Sequence, residues 1–134
     1  MMTTSSSMWS RPSVWGTPTW KFLYCVVQSY PRCPSLQERE EYAVFFHSLQ
    51  WILPCRKCRS HYQQWLTLCP VVPFLRNRTC LQKWLLWLDN YIRQRLEKPL
   101  IENMKQEYFG RDTTPLLKEM PMHSNKSKKK HPSS

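Results

Sequence analysis

Apolar residues return along this 134-residue chain at the spacing of a single helix face. Trp20, Leu23, Tyr24 and Val27 stand at i, i+3, i+4 and i+7, the stripe that an amphipathic helix turns toward a core. Tyr30-Pro31 closes it, because a residue before proline is pushed out of the helical region. This predicts helix one over 17–29. Tyr42, Phe45, Phe46 and Leu49 repeat the stripe behind a capping box of Ser35 and Glu38, which predicts helix two over 36–52. Leu53-Pro54 stops that helix, and Pro54 suits the start of another, expected over 55–66. Beyond a loop holding Pro70 and Pro73, Thr79 and Gln82 form a second capping box ahead of Leu81, Trp84, Leu85, Leu88 and Ile92. Helix four is thus expected over 80–97, closed by Pro99, with a short fifth helix over 100–109. The fold class is all-α, an antiparallel four-helix bundle with a short fifth helix.

Composition limits what such a bundle does. Two glycines supply neither a Gly-rich phosphate loop nor the turns of a many-stranded sheet. The eighteen aromatics, seven of them Trp, are enough to pack a small core or to line a pocket for a flat ligand. One domain is expected over 13–110, between a disordered segment 1–12 and a basic, disordered tail 111–134. The net charge is +11, and the lysines at 118, 126, 128, 129 and 130 put a cluster in that tail, a solubilising feature or a contact for nucleic acid. There is no 18-residue apolar run and no secretory signal pattern, so a protein without a membrane span, in the cytoplasm or nucleus, is expected.

Six cysteines (25, 33, 55, 58, 69 and 80) in an intracellular chain favour metal or redox chemistry over a disulfide scaffold. Cys55-Arg56-Lys57-Cys58 opens a helix, where two residues three apart share a face. The helix N-terminus and the cations at 56, 57 and 59 favour a thiolate, the setting of a redox dithiol. The same spacing continues to His61, so a zinc site of Cys55, Cys58, His61 and Cys69 stays open. That reading makes the chain a small helical zinc protein binding nucleic acid through its tail. On spacing alone, Trp20, Trp84, Leu85 and Leu88 read as core. Asp89 on an apolar face asks for a partner, with Arg93 at i+4. Cys25, Cys33, Cys69 and Cys80 read as separate thiols, with Cys25–Cys33 and Cys69–Cys80 bridges as alternatives.

Three segments in order resemble the FAD-dependent Erv/ALR sulfhydryl oxidases. Trp15-Gly16-Thr17-Pro18-Thr19-Trp20-Lys21-Phe22-Leu23 is similar to the family's opening motif, and Leu53-Pro54-Cys55-Arg56-Lys57-Cys58 with His61-Tyr62 to its YPC-x-x-C and H-F. Trp84 to Pro99 is similar to W-L-x-x-L-H-N-x-V-N-x-x-L-G-K-P. The resemblance implies an FAD-binding bundle that oxidises protein dithiols and reduces dioxygen to hydrogen peroxide. It makes Cys55 and Cys58 the catalytic pair, with no metal. Cys55 is then the interchange thiol and Cys58 the one beside the flavin. By position in the motifs, Trp20, Tyr24, His61, Trp84, Asn90, Arg93 and Lys98 are the cofactor-binding residues; Arg93 and Lys98 also suit a pyrophosphate by charge.

The departures are specific. A family His is Tyr24 here, the HN-x-V-N block reads Asp89-Asn90-Tyr91-Ile92-Arg93, and the Gly before Lys98 is Glu97. Two flavin contacts are replaced and a third is altered, which admits a flavin-free structural member as a further alternative. A structural disulfide common in cellular members has Leu86 and Asn103 at its positions, and no terminal shuttle cysteine is present. This economy resembles the short members of large DNA viruses, with the virion as a further location. The resemblance also implies a homodimer through helices one and two, with Tyr42, Phe46 or Leu49 toward the partner. Electrons are expected from a thioredoxin-like carrier or directly from client dithiols, and Arg56, Lys57 and Arg59 imply an acidic substrate surface.

Overall fold

The computed structural model describes residues 8–109, apart from the side chains of Lys105 and Gln106, and every regular element among them is helical. The elements are α1 (Pro12–Gln28), α2 (Leu36–Ile52), α3 (Arg56–Leu68), a 3-10 turn (Val72–Arg76), α4 (Arg78–Arg95) and a π turn (Lys105–Phe109). Helix α1 packs on α4, α2 on α3, and the 3-10 turn fills the space between α2 and α4. The basic tail and its lysine cluster lie outside the described residues. No helix among the described residues is long and apolar enough to cross a membrane.

The expected stripes meet in one aromatic core. Leu23, Tyr24, Val27, Phe46, Leu49, Leu81, Trp84, Leu85 and Leu88 are all buried. Trp84 stands at its centre, against Phe46 of α2 (ring centroids 5.2 Å) and Trp65 of α3 (6.1 Å), while its indole N–H donates to the Cys69 carbonyl at 2.8 Å. Tyr30, fully buried, donates its hydroxyl to the Leu75 carbonyl and accepts at its own carbonyl from Arg78 Nε. One residue thus joins the end of α1 to the 3-10 turn and to the start of α4.

Helix ends account for the departures from expectation. Helix α1 starts at Pro12, five residues early, because proline fits the first turn, where no N–H is needed. Pro18 lies inside it. The Ser35 capping box forms as read, with both reciprocal bonds present. The second expected box does not form: Asn77 caps α4 by accepting from the Cys80 N–H at 2.8 Å, and Gln82 reaches Gln28 on α1 instead. The expected fifth helix shrinks to the π turn, preceded by an irregular run from Pro99. Phe46 and Leu49 are interior residues of the protomer itself and cannot face a partner. The six cysteines are all free thiols.

At the end of α4 the chain reverses through Glu97, whose φ of 57° is left-handed. The Lys98 N–H returns to the Arg93 carbonyl at 2.8 Å and the Glu97 N–H to Gln94, the paired bonds of a Schellman cap. A side chain there costs about 1–2 kcal/mol, the physical reason for glycine at this position of the resembled motif.

Candidate redox site

Cys55, directly after Pro54, is the N-cap of α3, with the extended dihedrals (φ −119°, ψ 128°) usual for that position. Its sulfur does what a serine oxygen does at such a position, accepting the Cys58 N–H at 3.3 Å. Arg59 folds back to donate to the Leu53 carbonyl, fastening the pre-proline corner to the helix that carries both thiols. It is therefore turned to the protein's own backbone, unlike Arg56 and Lys57, which are exposed.

The two thiols differ in acidity. Burial pushes Cys58 up to about 12, and the hydrogen bond and negative charge of Cys55 add to the rise. Partial burial also acts upward on Cys55, but hydrogen bonds from Cys58 and from the Lys57 and Cys58 backbone, with the charge of Arg59, outweigh it and leave Cys55 below the ordinary thiol value. Of the two half-buried thiols, Cys55 ionises first and Cys58 holds its proton longer. Because ionisation of Cys55 precedes that of Cys58, alkylation of Cys55 by iodoacetamide is expected to rise with pH through a midpoint below the ordinary thiol value and ahead of Cys58, while the exposed Cys25 and Cys33 label independently of the pair. Mass spectrometry of the alkylated chain across pH checks both the midpoint and the site; equal labelling of Cys58 contradicts the asymmetry.

Further along α3, and on α4 packed against it, stand aromatics and cations. His61 is half-buried, and burial, Arg95 and Lys57 lower its pKa, so it is neutral at pH 7. Trp65, seven residues beyond Cys58 on the same helix face, packs against Tyr91 (5.3 Å) as well as Trp84. Its buried indole N–H has no hydrogen-bond partner among the described residues. Arg95 lies over the Tyr91 ring at 4.4 Å.

The other expected binding residues gather where α1, α4 and the π turn meet. Asp89, 1% exposed, accepts from the Tyr24 hydroxyl (3.0 Å) and the Tyr108 hydroxyl (2.7 Å) on one oxygen and from Arg93 Nε (3.1 Å) on the other. Burial raises its pKa, and these three donors and the guanidinium hold it back. Arg93 also bonds Glu107, the Tyr108 hydroxyl and the Pro99 carbonyl. Asn90 clamps the backbone of Ile101 from both sides, accepting from its N–H at 2.8 Å and donating to its carbonyl at 3.0 Å. Trp20 is half-buried with its ring 6.3 Å from that of Tyr24, and Lys98 is exposed. The Asp89–Arg93 pair is as read from the sequence. Tyr108 and Trp65 were not singled out: Tyr108 lies nineteen residues from Asp89, beyond any helical spacing, and Trp65 reads as one more core aromatic.

Among the described residues no group of three or more His, Cys, Asp and Glu is placed to hold a metal ion, so Cys55, Cys58, His61 and Cys69 do not form a zinc site. The sequence profile of the Erv1 / Alr family matches residues 17–110, which takes in every element that builds the thiol pair and the Asp89 cluster. The chain belongs to the Erv1/Alr family. Among Erv1/Alr relatives, a probable FAD-linked sulfhydryl oxidase of Acanthamoeba polyphaga mimivirus is 32% identical over 91 residues, 67% of this chain and 64% of that protein. A putative FAD-linked sulfhydryl oxidase of Invertebrate iridescent virus 3 is 26% identical over 84% of this chain and 79% of its own length. The match to the Schizosaccharomyces pombe mitochondrial FAD-linked sulfhydryl oxidase spans 47% of that protein. The crystal structure of the yeast Erv1 core superposes over 72% of this chain and 81% of its own with a TM-score of 0.64 at 23% identity, the same fold.

Proposed function

We propose that this Erv1/Alr chain is an FAD-linked thiol oxidase that forms disulfide bonds in protein substrates. The observation that carries the reading is the placement of the pair: Cys55 caps α3 with its sulfur on the Cys58 N–H at 3.3 Å, so both thiols share the first turn of one helix within the segment that the Erv1 / Alr profile matches. In the oxidised pair Cys55 is the sulfur open to an attacking substrate thiolate. Cys58 is then the leaving sulfur, and a second substrate thiol releases Cys55, ordinary exchange through a mixed disulfide.

The residues present fit the cofactor that the relatives' names carry. The unmet Trp65 N–H points to an acceptor missing from the protein itself, since a buried donor left unpaired costs about 1–3 kcal/mol. Aromatic walls from α3 and α4, a neutral His61 and the cations Arg95 and Lys98 suit a planar ring carrying a pyrophosphate. Of the expected binding residues, His61, Trp20 and Lys98 would meet FAD directly. Tyr24, Trp84, Asn90 and Arg93 are bonded within the protein and would shape its seat. When bound, FAD accepts the electron pair of a dithiol and passes it to dioxygen, giving hydrogen peroxide. Electrons come from client dithiols or a thioredoxin-like carrier.

A homodimer through α1 and α2 belongs to the same proposal. Its support is an apolar groove of 240 Å³ lined by Val26, Glu41, Tyr42 and Phe45, with Phe22 exposed beside it. An absorbance spectrum tests the main reading. The purified chain is expected to be yellow, with a flavin band that bleaches on addition of dithiothreitol without air and returns with it. A folded, colourless protein that gains no band on incubation with FAD overturns it and favours a flavin-free structural member.

A further inference from the structure

We propose that the exposed Trp51 and Ile52, just before Cys55 in the chain, and Arg56 and Lys57, just after it, form a docking surface for a protein dithiol. The substrate cysteine would carry an apolar residue on one flank and Asp or Glu on the other. The proposal rests on the thiol-oxidase reading and names the substrate class for it.

The last turn of α2 places two large apolar side chains side by side in solvent, whereas Leu36 and Val44 earlier on the helix are exposed singly. Phe46 and Leu49 are turned inward, and a helix that only packed its inner face would carry polar residues at its exposed end. Here Trp51 is 69% exposed and Ile52 65%. A solvent-facing indole beside a branched aliphatic chain has the composition of an interaction site rather than of a plain surface. These two residues stand only four and three positions before the interchange thiol, at the corner where α2 hands over to α3.

The other side of the corner is cationic and uncompensated. Arg56 and Lys57 are exposed in the first turn of α3, where the helix itself adds positive potential. Both ion pairs formed among the described residues belong to Arg93, remote in sequence from this corner. Arg59, the third cation of the cluster, keeps its charge but is held by the Leu53 carbonyl, so the cationic side chains exposed to a docked segment are Arg56 and Lys57. Charge complementarity thus calls for an acidic flank and the Trp51–Ile52 pair for an apolar one. A polyanion such as nucleic acid would use the cations alone, and a second copy of this chain, itself basic, would bring like charge to them.

With such a substrate seated, the chemistry balances within the pair. Two substrate thiols lose two electrons and two protons and become one disulfide. The Cys55–Cys58 disulfide breaks and takes up both as two thiols.

The experiment compares the full chain with two variants, Trp51→Ser/Ile52→Ser and Arg56→Gln/Lys57→Gln. The substrates are Cys-x-x-Cys peptides flanked by Leu and Glu, by Leu and Lys, or by Ser alone, with dithiothreitol as the small dithiol. The readout is the ratio of peptide to dithiothreitol kcat/KM, which removes any effect on Cys55 itself. The Leu/Glu peptide is expected to exceed the Leu/Lys peptide by about tenfold, with a preference that shrinks as salt rises. Each variant is expected to lower the ratio for the Leu/Glu peptide by about tenfold. Equal ratios for all peptides, or unchanged ratios in the variants, overturn the docking surface. A changed association state of Trp51→Ser/Ile52→Ser in sedimentation, with equal loss on every substrate, reassigns the apolar pair to a contact between copies and also overturns it. Failure of the unaltered chain to oxidise dithiothreitol is a different result, and overturns the oxidase reading beneath.

Discussion

Replacing Cys58 with serine is expected to reduce turnover of any dithiol to less than about one thousandth while leaving Cys55 reactive and the bundle folded. A serine oxygen cannot share a disulfide, so the pair loses its only way to hold the two electrons taken from substrate. The fold has little at stake, since Cys58 is only half-buried and its backbone N–H still caps onto Cys55. The companion change, Cys55→Ser, also ends turnover but for a different reason. Serine is a good N-cap, so α3 keeps its start, and what disappears is the accessible thiolate. Losing Cys55 also removes two of the influences that raise Cys58, whose pKa then falls, although burial, the largest of them, remains. Oxygen consumption with dithiothreitol checks the turnover, and iodoacetamide labelling checks the thiols. Full labelling of Cys55 with no turnover in Cys58→Ser is the expected signature; residual turnover above one tenth contradicts the paired mechanism.

The second large effect is on stability. Asp89→Ala leaves the Arg93 guanidinium and the Tyr24 and Tyr108 hydroxyls without the acceptor they share, the most deeply buried charged residue among those described. Breaking a buried, bonded charge in this way costs about 3–5 kcal/mol. For a folded unit of about 100 residues, where each kcal/mol is worth roughly 4–8 °C, the melting temperature falls by more than about 12 °C. Asp89→Asn keeps the shape and one oxygen acceptor and is expected to lose clearly less. Thermal unfolding followed by circular dichroism separates the two, and a drop of under 3 °C for Asp89→Ala shows that the network contributes little.

How much of this was legible in the sequence depends on the range of the interaction. The stripes of Trp20 to Val27, Tyr42 to Leu49 and Trp84 to Leu88 lie at fixed helical spacing; Leu23, Tyr24, Val27, Phe46, Leu49, Trp84, Leu85 and Leu88 are buried as they imply, while Trp20, Tyr42 and Phe45 are half-buried at the edge of the core. The Ser35–Glu38 box and the Asp89–Arg93 pair span three and four residues and form as read. Choices between nearby candidates were less certain: Asn77 and Thr79 both suit a cap, and the aspartate-like geometry of Asn77 wins by reaching the Cys80 N–H. Inward and outward positions of α2 are separated by packing against α3 and the 3-10 turn, which composition does not reveal, so Phe46 and Leu49 looked available for a partner. Tyr24 reads as a stripe residue and Asp89 as the partner of Arg93, and each departs from a motif, but nothing local joins the two. Their mutual hydrogen bond spans 65 residues, and two substitutions that look damaging one at a time are complementary as a pair.

The clamp of Asn90 on Ile101 has a consequence for how the protein tolerates its own working conditions. Together with the bonds of Arg93 to Pro99, Glu107 and Tyr108, it fastens the segment after α4 to that helix. The common disulfide of the resembled family would join Leu86 on this helix to Asn103 in this segment, had cysteines stood there. A covalent staple responds to the surrounding thiol pool, and is weakened when reductant accumulates. Amide and guanidinium bonds have no reduction potential. The attachment here is therefore indifferent to reductant, and its vulnerability is moved to protonation of the carboxylates and to competition from water.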